Sequence, residues 1–274
     1  MKSPITAIIL TKNEATMLPA CLACLDFCEE IIVIDGASTD DTVKIAENFG
    51  CKVLQFEPQS FARRREKALD FVKTDWLFYV DADERVSPEL ATEILQKLSL
   101  GKTEVFGMRR DNVCYGQHLQ YGGWQKDFVT RVFKKTALKG WQGEIHESPI
   151  YHGQMELLEH SLLHLTHRST QENLQKSAAW TIREAELLAA KEKKPVTART
   201  LLRKAFMEWW RRFLLAKGYK DGMVGWVEAL VQAMNRLMVY IQVWELQQKP
   251  SLIDRYKHEE GKIRQAWQQS KKTE

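Results

Sequence analysis

The stretch WLFYVDADER, residues 76–85, decides the fold. Trp76 to Val80 are five apolar or aromatic residues with no alternation, the mark of a strand covered on both faces. The run then stops in acid: Asp81, Asp83 and Glu84. A strand that is buried throughout and ends in carboxylates predicts a sheet whose carboxyl edge is a binding site. In open parallel sheets, ligands sit beyond the carboxyl ends of the strands.

The neighbouring segments repeat this pattern. Ile5–Leu10 (ITAIIL) reads as a strand that ends in TKNE, Thr11–Glu14. Ile31–Asp35 (IIVID) reads as a second, which runs into DGASTDD, Asp35–Asp41. Lys52–Phe56 is a third strand. Helices are predicted between them, over Ala15–Leu25, from a Ser38–Asp41 cap to Phe49, over Phe61–Val72, and over Glu89–Leu98 with Ser87 as N-cap and Pro88 at the first helical position. Strands alternating with helices predict an α/β fold with a mainly parallel sheet. From Glu104 the pattern shifts to further strands at Val105–Arg110, Phe128–Lys134 and Leu157–His167. After Ser169 the chain reads as helical, with breaks at Pro195 and Pro250. The expected organisation is a catalytic domain over residues 1–168 and a helical extension over 169–274.

Composition narrows the function. The 274 residues are 44% hydrophobic and carry a net charge of +4, which suits a large globular domain and offers little to nucleic acid. Five cysteines and an N-terminus that runs directly into a strand predict free thiols in a reducing cytoplasm. Cys21, Cys24 and Cys28 share one helical face, where small buried thiols pack as readily as they ligate a metal.

At the strand ends, Asp81 and Asp83 supply oxygen donors for a hard divalent cation, Mg²⁺ or Mn²⁺, which in turn suits a diphosphate. Asn13 and Asp35 suit the N–H and O–H groups of a base or ribose. The plain alternative is that the acids of residues 81–84 cap a turn.

Taken together, IILTKNE, IIVIDGASTDDT, FARRREKAL and DWLFYVDADE resemble family 2 glycosyltransferases, over about residues 5–88 and less closely to residue 167. The resemblance implies a GT-A fold and an inverting transfer from a nucleotide-sugar donor. It places Thr11, Asn13 and Glu14 at the nucleotide, Asp35 at the base, Arg63 and Lys67 at phosphate or ribose, Asp81 at the ribose or sugar, and Asp83 on the metal. Within the family, TKNE, DADE, RVFKK and GEIHE resemble bacterial lipopolysaccharide core glucosyltransferases, which implies UDP-glucose as donor and a glycolipid core as acceptor. Nucleotidyl transfer is the competing enzyme class, but TKNEATML lacks the glycine-rich phosphate loop expected of it. A non-catalytic, membrane-associated protein that keeps the transferase fold is the third reading.

Inversion requires a general base. Glu147 in QGEIHESP ranks first, then Glu144, then Asp127 before the strand at residue 128. His164 and His167 read either as core histidines or as a late metal ligand. Arg131 is expected to meet a phosphate, Asp127 or a carboxylate of the cluster. Tyr115–Trp124 mixes aromatics and glycines, as an acceptor loop or a lid would, while Trp124 and Trp141 suit a core equally well.

Residues 199–220 hold seven basic side chains against one acid, Glu208, and place Leu202, Phe206, Trp209 and Phe213 on one helical face. Two readings fit such a helix: it lies on the cytoplasmic face of the inner membrane, or it packs its apolar stripe on the catalytic domain or on a second subunit of a homo-oligomer.

Overall fold

The computed structural model describes residues 3–56, 61–143, 148–191 and 194–271. Two compact units are present, Met1–Ser169 and Thr170–Glu274.

In the first unit, β1 (Ser3–Thr11), α1 (Leu18–Ala23), β2 (Cys28–Asp35), α2 (Thr42–Asn48), β3 (Lys52–Gln55), α3 (Phe61–Leu69) and β4 (Trp76–Asp81) alternate along the chain. The short β5 (Glu84–Arg85), α4 (Pro88–Leu100), β6 (Val105–Cys114), β7 (Gln117–His118) and β8 (Phe128–Lys134) follow. The unit closes with β9 (Leu138–Gln142), β10 (Ser148–Tyr151), β11 (Met155–Leu157) and β12 (Leu162–Thr166). The main sheet runs β3-β2-β1-β4-β8-β6-β12-β5, with β7 and β11 attached to β6. β3, β2, β1 and β4 are parallel, and β8 is inserted antiparallel between β4 and β6.

Alternation of side chains along β1 explains why both faces are covered. Ile5, Ala7 and Ile9 join Leu18 and Leu22 of α1 and Leu90 and Ile94 of α4 in one core. Ile8 and Leu10 point the other way, into a core with Ala68, Val72 and Trp141. Cys21 and Cys28 belong to the first core as small buried residues, and the five cysteines are free thiols. Trp141 is core, edge-on to Tyr79 at 4.9 Å. Trp124 is half-buried and lies edge-on to His167 at 5.4 Å.

Three local expectations needed correction. The first helix is limited to Leu18–Ala23, because the N–H groups of Met17 and Leu18 turn back onto the Glu14 carbonyl before it starts. The second helix begins at Thr42, whose N–H is taken by Asp40 Oδ1 at 3.0 Å, since Ser38 is drawn to Asp35 instead. The segment 157–167 is two strands. Glu93 of α4 accepts the backbone N–H groups of Glu159 and His160, at 2.7 and 3.0 Å, and bends the chain between β11 and β12. α4 itself has the expected cap, Ser87 Oγ accepting from the Leu90 N–H at 3.2 Å, and ends at the left-handed Gly101. Inside 115–124, Tyr115 and Gly116 both have positive φ and form the tight turn that joins β6 to β7.

The second unit is helical: α5 (Thr170–Lys191), α6 (Ala198–Trp210), a π-helical turn over Arg211–Leu215, α7 (Gly222–Leu246) and α8 (Leu252–Ser270). Ala185, Val196, Val239, Tyr240 and Val243 form its small core. Among the described residues, no helix is long and apolar enough to cross a membrane.

Candidate active site

Strand register brings the acidic segments together. Thr11 lies opposite Asp35, and Leu10 lies opposite Asp81, so the ends of β2, β1 and β4 stand side by side. Asp35 is fully buried. Its carboxylate accepts from the Ser38 N–H at 2.9 Å, from the Ser38 hydroxyl, and from Thr11 Oγ1 at 3.3 Å. Asn13 sits in the left-handed region at φ 57, a conformation asparagine tolerates. Its Oδ1 accepts the Thr39 N–H at 2.8 Å, and its own N–H donates to Ser38 Oγ at 2.8 Å. The Glu14 N–H donates to Thr42 Oγ1 at 2.8 Å, and the Glu14 carboxylate lies 4.0 Å from Arg168. The loop after β1 and the loop after β2 are thus stitched to each other.

On α3, Arg63 and Lys67 are exposed, and the Lys67 ammonium lies 5.1 Å from the Phe56 ring centre. The buried cations of this helix are Arg64 and Arg65, which reasoning from sequence alone passed over. Arg64 abuts Gly36: a Cβ built there would lie 2.4 Å from its Nη1. Arg65 stacks 4.6 Å from the Trp141 ring centre and approaches Asp81 at 3.6 Å. A signal did exist. Arg64 stands one helical turn before Ala68, which faces the core.

The DADE acids divide into two environments. Asp81, 32% exposed at its side chain, accepts from Arg131 Nη2 and lies 3.6 Å from Arg65. Burial alone would raise its pKa, but the Arg131 and Arg65 charges outweigh it and hold the carboxyl well below the usual range. Glu84 is fully buried. Its Oε1 accepts from Arg131 at 2.8 Å and lies 3.5 Å from Arg110, while its Oε2 accepts the Asp81 N–H at 2.8 Å. Burial, reinforced by neighbouring Asp81, pushes the Glu84 carboxyl up despite these cations. Arg131 is therefore the bridge between two carboxylates of the cluster, and burial is overcome by their charge, which pushes its pKa up.

Asp83 belongs to a second chain of contacts. Its Oδ2 lies 3.7 Å from His164 Nε2, with only 14% and 12% of the two side chains exposed. His164 Nδ1 lies 2.6 Å from Asn112 Oδ1. Asn112 Nδ2 donates at 3.0 Å to Asp127, and a carboxylate can only accept, so the amide orientation is settled. The Asn112 oxygen therefore faces the ring and accepts from His164 Nδ1–H, so Nε2 is the ring nitrogen turned toward Asp83. In its neutral form such a ring and a carboxylate, set beyond hydrogen-bond distance, suit a shared cation. The residues present thus fit a divalent ion of the Mg²⁺ or Mn²⁺ kind. Asp127, ranked among the bases, has both oxygens engaged: Arg110 grips it in a fork at 2.9 and 3.0 Å, and Asn112 adds a third donor. Glu144 and Glu147 lie outside the described residues.

The description "glycosyl transferase family 2" fits residues 6–164, where the family model matches. The lipopolysaccharide core biosynthesis glycosyltransferase LpsC of Rhizobium meliloti is 24% identical over 273 residues, covering 94% of this chain and 99% of that protein. An uncharacterized glycosyltransferase of Rickettsia conorii, RC0292, is 26% identical over 254 residues, covering 85% and 87%. Among solved structures, residues 1–349 of S. aureus TarS align over 89% of this chain and 81% of that one, with TM-score 0.45 and 17% identity. The glucosyl-3-phosphoglycerate synthase of Mycobacterium tuberculosis, crystallised with Mn²⁺, UDP and glucosyl-3-phosphoglycerate, aligns over 39% of this chain and 43% of that one, with TM-score 0.35 and 20% identity. With more than half of its length matched by the family model and the carboxyl edge of an α/β sheet of GT-A type carrying its acids, the chain belongs to glycosyltransferase family 2.

Proposed function

We propose that this glycosyltransferase moves a hexose, glucose from UDP-glucose, with inversion onto the core sugar of a lipopolysaccharide-type glycolipid. The observation that carries the reading is the Asp83–His164 pair, two donors 3.7 Å apart beside the ends of β1, β2 and β4. The near full-length similarity to LpsC supports the acceptor class. Free thiols fit a reducing cytoplasm, where nucleotide sugars are consumed.

In this reading Asp35, Thr11 and Asn13 form the wall for base and ribose, with Glu14 behind them. Arg64 joins Arg63 and Lys67 as a cation for the diphosphate. Asp81, fixed by Arg131 and Arg65, accepts hydroxyl hydrogens of ribose or sugar. Asp83 and His164 hold Mg²⁺ or Mn²⁺, which when bound neutralises charge on the diphosphate. The acceptor oxygen forms a bond to the anomeric carbon as the bond to UDP breaks. Its proton passes to a carboxylate, a contribution of roughly 10²–10⁴-fold in rate. Glu147 is the first choice for that carboxylate and Glu144 the second. Asp127, held by Arg110 and Asn112, serves better as a brace for His164 than as a base.

The test is UDP release from a panel of nucleotide sugars, with and without acceptor glycolipid, by the wild type and Asp83→Asn. Turnover that is confined to UDP-glucose and abolished by the substitution supports the reading. Full activity of Asp83→Asn overturns the metal assignment, and no UDP release from any donor favours a protein that binds without catalysis.

A further inference from the structure

We propose that α6 and α7 together form a docking face for an anionic lipid bilayer, on which the protein lies without inserting a helix. No residue of α6 is buried. Leu202, Phe206 and Trp210 follow one another at four-residue spacing and are all exposed, so they line one side of that helix. On α7, Met223, Trp226 and Leu230 do the same at spacings of three and four. The two stripes meet through rings. Phe206 lies 6.0 Å from Trp209, Trp209 lies 6.1 Å from Trp226, and Phe213 packs on Trp226 at 3.8 Å. The π-helical turn at Arg211–Leu215 is what carries the buried Phe213 to that contact.

A continuous apolar face so rich in tryptophan and phenylalanine needs a partner, and its charge identifies which. Arg203 and Arg199 are exposed on α6, about one and about two turns before Phe206 and on its flank of the helix. Lys217 follows, also exposed. The acid of the stretch, Glu208, is already taken by Arg211 and Arg212, at 2.5 and 2.8 Å. Among the described residues of 199–230 the other acids, Asp221 and Glu228, are buried, so the rim there is cationic. A second copy seated on this face by two-fold symmetry would set the same cations against one another. An anionic leaflet offers the opposite: negative headgroups for the rim and an acyl boundary for the aromatic centre.

The experiment is sedimentation of the full chain with vesicles of phosphatidylcholine alone or mixed with phosphatidylglycerol. The wild type sediments with the mixed vesicles, is released by salt, and remains in the supernatant with the neutral ones. The double substitution Leu202→Glu, Met223→Glu changes two of the most exposed apolar side chains, 72% and 75% accessible. It lowers the bound fraction at least about tenfold, as expected when apolar contact and charge attraction are removed together. Circular dichroism and UDP release, both unchanged in this variant, separate lost docking from lost folding or catalysis. Vesicle binding is read whether or not a donor turns over, so failure of the catalytic assignment leaves the surface testable. Failure of the wild type to bind mixed vesicles overturns the proposal. So does equal binding by the variant, or a wild-type dimer that the same double substitution converts to monomer.

Discussion

Replacing Arg131 by methionine removes the cation that Asp81 and Glu84 share. Methionine fills much of the same volume, so the loss is chiefly electrostatic. Two charge-assisted hydrogen bonds disappear, one to each acid, each worth about 1.5–3 kcal/mol. The remaining cations are too distant to take over fully, Arg65 at 3.6 Å from Asp81 and Arg110 at 3.5 Å from Glu84. Glu84 keeps one backbone donor. Removing one partner of a buried ion pair costs about 3–5 kcal/mol, and that range is expected here at about pH 7. The sign with pH follows from the two acids. Asp81 has a depressed folded value, so its contribution is complete above the unfolded value of about 3.9 and fades as pH falls through the lower folded one. In the variant both carboxyls rise, so the deficit shrinks on acidification toward about pH 4. Hydrogen exchange of the β4 and β8 amides under conditions of global opening reads this unit directly. A loss below about 1 kcal/mol at neutral pH, or a deficit that grows in acid, refutes the bridging role of Arg131.

Further outcomes follow from the same geometry. Asn112→Leu removes the group that orients His164, and Mn²⁺ affinity by paramagnetic resonance falls about 10–100-fold while the fold persists. In Gly36→Ala, a methyl group would lie 2.4 Å from Arg64 and 3.2 Å from the Thr11 carbonyl; stability drops by about 1–3 kcal/mol in urea titration, and UDP binding by calorimetry weakens. Burial pushes the Cys51 thiol up to about 11, so its alkylation, followed by mass spectrometry, is slow at neutral pH and accelerates steadily as pH rises toward that value.

Local pattern carried much of this architecture. β1, β2 and β4 are continuous apolar runs because helices cover both faces, and their strand-end acids stand out against that background. The α4 cap was legible from Ser87 and Pro88 for the same reason: a short-range rule governs it. What escaped depends on distant partners. The bend between β11 and β12 is imposed by Glu93, more than sixty residues earlier. Arg64 and Arg65 were hidden among five consecutive charged residues, where only their phase relative to Ala68 distinguishes them from Arg63. The tautomer of His164 is set through Asn112 and Asp127, a relay that crosses from β12 through β6 to the residue before β8.

The insertion of β8 between β4 and β6 has a consequence for synthesis. Asp81 and Glu84 leave the ribosome well ahead of Arg131, the residue that neutralises both, and ahead of Arg110. Of Arg65, Arg110 and Arg131, which flank the two acids, the emerging half-sheet β3-β2-β1-β4 then holds Arg65. Docking of β8 against β4 later sets Arg131 between the two acids and, in the same step, links the parallel half-sheet to β6.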